Sequence, residues 1–482
     1  MSTPAAAQPL PSLSLFALCQ LDRLNQHVAL RTPLPSWAGA GRRLELFVYA
    51  LLALAGAACV AAWNPDWYRA LSYVHVGKIA LKCLTYLAAA RACLLVERRA
   101  LQTMLFACVN LGAIAMFFDP REGRRRVVFF FAAYLAMAAW HFLMLRLFAE
   151  REGAWPWLAF FSPIAALVVV RYTPFLIEPL WKAIPGLSIA SPAAFFVGLS
   201  YMAFRLSYLA LEVRNRITPR PDFWEYLGFA FFLPTLVVGP INPYSAHRQS
   251  IEHPDRAVTP VGRSCLRILI GFTKYQFLGN VFNQLSYAGL LLDGHPHAPL
   301  DVFVAAVCYH LYLYCNFAGF CDMAIGAAGL LGIHVKENFR NPLTARSVKE
   351  YWTRWHITLS TYFRDVVFSP LSKFFIDRLG MRRAHHAIAL AIVVVFLLVG
   401  VWHGAGWRFA IYGALHAAGV ATNHYYTIWL KRRLGKDRFK AYQENRWITA
   451  AAVTATFFFV TASLFFFAND FPAMEKIFLA IR

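Results

Sequence analysis

The sequence predicts an all-α integral membrane protein, and three features of its composition lead to that class. Of its 482 residues, 59% are hydrophobic and only 15% are charged, and the mean hydropathy is +0.48. Apolar runs of about 18 or more residues, the length needed to cross the hydrocarbon core, recur along the chain. Because the bilayer contains no water to satisfy exposed backbone groups, we expect these runs to form helices.

The predicted helices follow a polar tail and fall into two parts. We expect a cytoplasmic or interfacial tail at 1–40, transmembrane helices at 41–185, and a motif-dense core at 186–482. Within the core, a stretch near 336–380 is too polar to span and is expected to be re-entrant or interfacial. About 10 to 12 transmembrane or re-entrant helices are predicted, near 44–63, 71–95, 101–118, 127–148, 155–170, 190–213, 223–241, 264–292, 300–333, 387–407, 409–430 and 447–468.

The net charge of +22 is distributed in a way that argues against a nucleic-acid partner. Basic residues cluster in short connections, at 42–45, 96–100, 121–126, 214–221, 382–386 and 431–440. Basic short loops mark the cytoplasmic side of a membrane protein. The nine cysteines contain no CxxC pair, so we expect neither a disulfide framework nor a metal site.

The stretch near 336–380 is predicted to carry one amphipathic helix. Ser347 and Glu350 have the S-x-x-E spacing of a capping box, so this helix should begin at Ser347. On a continuous helix one apolar stripe would contain Trp352, His356, Leu359 and Phe363. Taken alone, an interfacial histidine such as His356 is more often structural than catalytic.

Other polar or helix-breaking residues stand out in apolar surroundings. Asp322 lies in such a run, where a charge costs several kcal/mol and has a partner or a water-filled cavity. We favour a structural role, either in an ion pair or in a contact with the N-terminus of a helix. Pro234 and the pair Gly239-Pro240 break a helix, and they form either a plain turn or part of a substrate channel.

His403 closes the apolar run at 387–400 and has unusual neighbours. Gly404 and Gly406 allow another group to approach the backbone closely, and Trp402 and Trp407 provide apolar walls. The alternatives are a core histidine and a general base, and an imidazole suits the second role because its pKa lies near the operating pH.

The depth of His403 follows from its distance along the chain from a basic cluster. Arg383 belongs to the cluster at 382–386, which we expect on the cytoplasmic side. A continuous helix from there to His403 would measure about 30 Å, which is the hydrocarbon thickness. We therefore expect His403 deep in the membrane or toward its outer side.

Three blocks of the sequence resemble the signature blocks of the membrane-bound O-acyltransferase family. They are "GFCDMAIGAAGLLGIHVKENFRNPL", "EYWTRWHITLSTYFRDVVFSPL" and "GVWHGAGWRFAIYGALHA". Together with 197–213 and 231–241, they are most similar to the bacterial polysaccharide branch, such as alginate O-acetylases and the D-alanyl transferases of teichoic acids. In contrast, the sequence contains no G-x-S-x-G, HExxH, Walker A or GxGxxG motif, so hydrolase, zinc-protease and nucleotide-binding functions lack their residues.

The resemblance implies a ring of helices around a central funnel and transfer of an acyl group from a cytoplasmic thioester to a hydroxyl. The histidine of the family's W-H-G motif corresponds to His403, and that of its W-H-x-S-L-S motif corresponds to His356. Three positions depart from the pattern, since Cys321 and Thr358 replace usual serines and Phe467 replaces a usual arginine.

We therefore predict an O-acyltransferase of the bacterial cytoplasmic (inner) membrane that moves an acetyl group to a hydroxyl of a cell-surface polysaccharide. His403 would be the general base, with His356 in support. The predicted substrate-binding residues comprise three that would line the passage and three that would hold the central loops, namely Trp352, Trp402 and Trp407, and Asp322, Asn338 and Asn341.

The expected partners follow from the same resemblance. The donor would be acetyl-CoA or an acyl carrier protein thioester, with no tightly bound cofactor and no metal. Membrane lipids and the polysaccharide complete the set, and whether a periplasmic acyltransferase partner takes part is open. The alternatives are a lipid or peptide O-acyltransferase and a non-catalytic transporter or flippase for a lipid-linked sugar.

Overall fold

The computed structural model is almost entirely helical. It describes residues 42–62, 73–117, 124–172, 198–252, 261–292, 294–404 and 406–481. Within these ranges there is no β-strand, apart from one isolated bridge between His297 and Ile481. The predicted all-α class is confirmed, whereas the predicted tail at 1–40 and the boundary near 185 lie outside the described residues.

We number the described α-helices in chain order. The first nine are α1 Arg42–Ala62, α2 Tyr73–Leu94, α3 Arg99–Phe117, α4 Arg124–Phe148, α5 Pro156–Tyr172, α6 Leu199–Arg214, α7 Phe223–Ala230, α8 Tyr244–Glu252 and α9 Val261–Phe272. The others are α10 Gly279–Gln284, α11 Pro299–Leu330, α12 Val348–Arg354, α13 Ile357–Phe363, α14 Ser369–Leu379, α15 Ala384–His403, α16 Trp407–Glu444, α17 Arg446–Ala468 and α18 Phe471–Ala480. Short 3-10 turns lie at Leu233–Thr235, Pro342–Thr344 and Met381–Arg383, and π-helical turns at Thr273–Leu278, Tyr287–Leu291 and Arg364–Phe368.

Several helices are apolar enough to cross a membrane. Four of the described segments are also long enough, namely Phe131–Phe148, Pro299–Leu330, Met381–His403 and Arg446–Ala468. Shorter apolar helices lie at Leu44–Val60, Arg99–Ile114 and Pro156–Arg171. These helices support an integral membrane protein, whereas the ring around a funnel stays a prediction.

Two predicted spans are not continuous α-helices. In the span at 223–241, α7 ends at Ala230 and Pro234 lies in a 3-10 turn. Proline lacks the backbone donor that a continuing helix needs, so the predicted break is confirmed and the single span is wrong. The span at 264–292 is interrupted by two π-helical turns.

The chain divides into two compact units, and the first, the N-terminal unit, comprises Leu30–Ile268 and Met323–Lys336. In its core, Tyr86, Phe106 and Phe232 are buried together. The Tyr86 hydroxyl donates to Asn110 Oδ1 at 2.9 Å, and the same oxygen accepts from the backbone N–H of Leu233 at 3.1 Å. A buried amide is thus satisfied inside an apolar core.

Of the residues that the structure describes, the C-terminal unit comprises 269–292, 294–322, 337–404 and 406–481. Helices α15 and α16 pack closely where Gly400 meets Gly413. A Cβ at Gly400 would lie 2.4 Å from the backbone oxygen of Phe409, and one at Gly413 would lie 2.5 Å from that of Phe396. Only glycine permits this approach. All eight predicted site residues belong to this unit.

Candidate active site

The predicted aromatic helix begins where expected but ends early. The Ser347 hydroxyl accepts from the backbone N–H of Glu350 at 3.1 Å, which confirms the cap. Helix α12 nevertheless stops at Arg354, and His356 adopts a left-handed conformation with φ 46° and ψ 52° before α13 starts. The prediction of one stripe along one helix is therefore wrong, because the backbone breaks within it.

Asn338 forms the hydrogen bonds that hold this break. Its Oδ1 accepts from the Thr358 hydroxyl at 2.9 Å and from the Thr358 backbone N–H at 3.1 Å, and it lies 3.2 Å from His356 Nδ1. Its backbone oxygen accepts from the N–H of Ile357 at 2.9 Å. Its Nδ2 donates to the sulfur of Cys321 at 3.3 Å. Because a backbone N–H only donates, the shared atom is the amide oxygen, and we assign the proton of neutral His356 to Nδ1.

His356 is 3% exposed and packs among aromatic rings. Its ring centroid lies 4.7 Å from that of Phe317 and 6.3 Å from that of Trp402. Burial, with a smaller contribution from the nearby His403, lowers the pKa of His356 to about 3. Burial disfavours the charged imidazolium, so His356 is neutral at physiological pH.

His403 is the last residue of α15 and is only half-buried. Its ring centroid lies 4.5 Å from that of Trp402, 4.9 Å from that of Phe467 and 5.9 Å from that of Tyr412. Trp402 thus contacts both histidines of the predicted site. As predicted, α15 is continuous over 20 residues, so it carries His403 about 30 Å from the basic cluster at its start.

The surroundings of His403 differ from the predicted pocket in two respects. A Cβ at Gly404 would lie 2.2 Å from the ring of Phe409, so the space that this glycine leaves is filled by the protein itself. At Gly406 the nearest atom would be 3.8 Å away, so that glycine is not required for space. Trp407 is 78% exposed and does not wall in His403; whether its ring contacts substrate stays a prediction.

Trp352 lies in a buried hydrogen-bonded chain that sequence reasoning missed. Its indole N–H donates to His416 Nδ1 at 3.1 Å, and His416 Nε2 lies 3.0 Å from the hydroxyl of Ser463. Indole nitrogen only donates, so His416 carries its proton on Nε2 and donates it to Ser463. The Ser463 hydroxyl donates in turn to the backbone oxygen of Val460 at 2.7 Å. This chain fixes α12 against α16 and α17.

Asp322 forms a buried ion pair, in agreement with the reading we favoured. Its Oδ2 lies 3.0 Å from Nζ of Lys274, whose side chain is 0% exposed. A Cβ at Gly319 would lie 2.6 Å from the backbone oxygen of Gly271, so the glycine at 319 allows these helices to approach closely. The signal for Lys274 was present in the sequence, since it is a lysine within an apolar run.

Asn341 lies in the loop that precedes α12, with a left-handed φ of 48°. Its backbone oxygen accepts from Arg354 Nη1 at 3.3 Å, and Arg354 Nη2 donates to Glu350 at 2.5 Å. Both asparagines therefore hold the loops around His356. Within the part of the chain that the structure describes, no group of three or more His, Cys, Asp or Glu side chains has metal-binding geometry.

Comparison with known families identifies the family of this chain. The model of the membrane-bound O-acyltransferase family matches residues 97–465. This chain belongs to that family. The match includes both histidines and the loops that hold them, so the chain is an acyltransferase.

Curated relatives of this O-acyltransferase modify two kinds of polymer, according to their names. A teichoic acid D-alanyltransferase of Streptococcus thermophilus is 27% identical over 343 residues, covering 68% of this chain and 79% of the relative. That of Bacillus subtilis is 28% identical over 318 residues, covering 64% and 77%. The probable alginate O-acetylase AlgI of Pseudomonas aeruginosa is 26% identical over 342 residues, covering 66% and 64%.

The three departures that we noted in the sequence all lie in this site. Cys321 and Thr358 bond to Asn338, which holds His356, and Phe467 packs on the ring of His403. Each replacement therefore changes a group next to a histidine.

Proposed function

We propose that this enzyme transfers an acetyl group from a cytoplasmic thioester to a hydroxyl of a cell-surface polysaccharide, in the inner membrane of a bacterium. The observation that carries the proposal is the position of His403. It is a half-buried imidazole at the end of an apolar helix, with aromatic rings around it. Such a group is accessible to a substrate and can act as a general base.

In the proposed reaction, His403 accepts the proton of the acceptor hydroxyl. At the same time the oxygen of that hydroxyl attacks the thioester carbonyl. The new C–O bond forms as the C–S bond breaks, and the thiolate that leaves takes the proton back from His403. The imidazolium that exists in between lies at the C-terminal end of α15, where the helix dipole stabilises a cation. This step balances in atoms, electrons and protons without a metal ion or a further reactant.

His356 supports this step by staying neutral. Asn338 fixes its orientation, and Trp402 contacts both imidazole rings. Since burial keeps His356 uncharged, a proton on His403 meets no like charge there. We assign His356 a positioning role rather than a second proton transfer.

The proposed acceptor is supported by the names of the relatives, and the side from which the donor comes is inferred from the basic connections. The relatives are named for modifying teichoic acid and alginate, which are polymers outside the cytoplasm. Because basic connections face the cytoplasm, we expect the start of α15 on the cytoplasmic side, opposite to His403. A donor made inside and an acceptor outside would meet near that histidine.

The test uses membranes that contain the full chain, labelled acetyl-CoA and a polysaccharide acceptor, and it compares His403→Gln with His386→Gln. His386 is an exposed histidine at the other end of the same helix, bonded to the Tyr425 hydroxyl at 2.7 Å. We expect labelled polysaccharide from the wild type and from His386→Gln, and none above background from His403→Gln.

Product from His403→Gln at the level of the control would contradict the general-base role. Label in the lipid or protein fraction instead of the polysaccharide would overturn the acceptor. Transfer only from a carrier-protein thioester would replace the donor while leaving the chemistry of His403 intact.

A further inference from the structure

A cleft lies in the N-terminal unit, whereas His356 and His403 belong to the C-terminal unit. Its polar and aromatic lining comes from three helices, with Arg99 and Thr103 on α3, Trp224 and Glu225 on α7, and His247 and Arg248 on α8. The proposed acyl transfer uses none of these residues. The cleft therefore needs an explanation of its own.

The sequence places this cleft on the cytoplasmic side. Arg99 opens α3 within the basic connection at 96–100, and Trp224 lies in the first turn of α7, directly after the basic connection at 214–221. Helices α3 and α7 pack together, so two basic connections meet at the cleft. Basic connections of this kind face the cytoplasm.

Two guanidinium groups line the cleft with donors to spare. Arg99 donates to Glu225 at 2.8 Å and to Gln102 at 3.2 Å, and Arg248 donates to Glu252 at 2.7 Å. An arginine has five N–H donors in a planar fork. Among the described residues these bonds occupy three donors, which leaves the others for an acceptor in the cleft.

A third arginine adds a positive charge behind the cleft wall. Arg205 is 1% exposed and donates to the Thr235 hydroxyl and the backbone oxygen of Ala230, both at 2.9 Å. Within the described ranges it forms no ion pair with a carboxylate, and its Nε has no hydrogen-bond partner. Buried charges are normally paired, so this one favours an anion nearby.

His247 connects Arg205 with the cleft that it lines. Burial, with smaller contributions from the charges of Arg205 and Arg99, lowers the pKa of His247 to about 3. The imidazole is therefore neutral and carries one N–H donor. Its protonation state does not change near neutral pH. Trp224 and Phe106 supply aromatic surface beside the cations.

We propose that this cleft binds the phosphate group of a phosphorylated ligand on the cytoplasmic side. Arginine forks match phosphate oxygens in charge and geometry, and aromatic surface next to them suits the organic part of the ligand. The same phosphate chemistry has two sources, a soluble thioester donor and an anionic lipid head group. The inference does not depend on acyl transfer, since binding is measured without it.

The test measures equilibrium binding to the purified full-length protein with two probes. Adenosine 3′,5′-bisphosphate represents the soluble source, and nanodiscs with phosphatidylglycerol, compared with phosphatidylcholine alone, represent the lipid source. Arg99→Gln removes one guanidinium, and Arg98→Gln is its matched control, because Arg98 is the exposed neighbour that does not line the cleft. Glu225→Gln removes the competing carboxylate but keeps an oxygen that accepts hydrogen bonds.

We expect Arg99→Gln to weaken binding of one probe by about 10-fold to 100-fold, the scale of a charged hydrogen bond, with Arg98→Gln unchanged. Glu225→Gln should strengthen the same binding by about fivefold, the scale of a half-exposed ion pair. The probe that responds identifies the source. Equal affinity of Arg99→Gln and Arg98→Gln, weaker binding by Glu225→Gln, or no wild-type binding of either probe would each overturn the proposal.

Discussion

The two histidines of the site are held in opposite ways. His356 is buried, sits in a left-handed backbone conformation and is fixed by hydrogen bonds through Asn338. His403 is half-buried at a helix end, and the rings of Trp402, Tyr412 and Phe467 lie around it. The difference is what we expect if His403, and not His356, exchanges a proton with the substrate, as we propose. A buried, neutral imidazole can orient its neighbours, whereas an accessible imidazole can also accept a proton from a substrate.

The largest expected effect separates these two roles directly. His403→Gln should lower the rate of transfer by about 10²-fold to 10⁴-fold, the usual contribution of a general base. His356→Gln should cost less, because glutamine keeps a donor near Asn338 and no proton transfer is lost. The measurement is the initial rate of polysaccharide acylation for both variants at matched protein levels. Equal losses of transfer rate in the two variants would contradict the assignment of His403 as the base and His356 as a positioning residue.

The next effect tests whether Asn338 holds His356. Asn338→Ala removes one oxygen that accepts from Thr358 and His356, so buried donors lose their partner at about 1–3 kcal/mol each. We expect at least about a tenfold loss of transfer together with a lower melting temperature in detergent.

Asn341→Gly is the control for that substitution. Glycine tolerates the left-handed backbone at this position, and the buried Oδ1 of Asn341 has no hydrogen-bond partner among the described residues. Near-normal transfer by Asn338→Ala would show that the break at His356 persists without its hydrogen bonds.

Two glycines next to His403 give a matched pair with a smaller effect. Gly404→Ala would place a methyl group 2.2 Å from the ring of Phe409, which must move and carry His403 with it. Such overpacking costs about 1–3 kcal/mol, and we expect a clear loss of both stability and transfer rate. Gly406→Ala meets nothing closer than 3.8 Å and should stay near wild type. Similar behaviour of the two variants would contradict this packing of the His403 surroundings.

The smallest effect is a pH dependence of stability that comes from His356. Its pKa is about 3 in the folded protein and about 6.5 when unfolded. Below pH 6.5 the unfolded state therefore binds the proton first, and stability falls as the pH falls. Melting temperatures of the wild type between pH 7.5 and 5 should decline more steeply than those of His356→Gln. Parallel curves would mean that His356 is not buried as described.

Residue patterns alone identified the class and the position of the two histidines. Composition and hydropathy predicted an all-α membrane protein, and the cap at Ser347 and the helix break at Pro234 were read correctly from spacing. Resemblance then assigned His403 and His356 to family motifs. Such features are local, because a cap, a proline or an apolar run depends on a few consecutive residues.

Only the tertiary structure decided what surrounds those residues. The break at His356 depends on Asn338, which lies 18 residues earlier, and the hydrogen-bonded chain of Trp352 depends on His416 and Ser463 much later in the sequence. Helical periodicity could not foresee either, since it assumes that the helix continues and says nothing of partners from other segments. Gly404 was noticed for its missing side chain, but the ring that fills the space belongs to Phe409. Contacts between distant segments form only when the chain packs, so local patterns place the functional residues and packing determines what each can do.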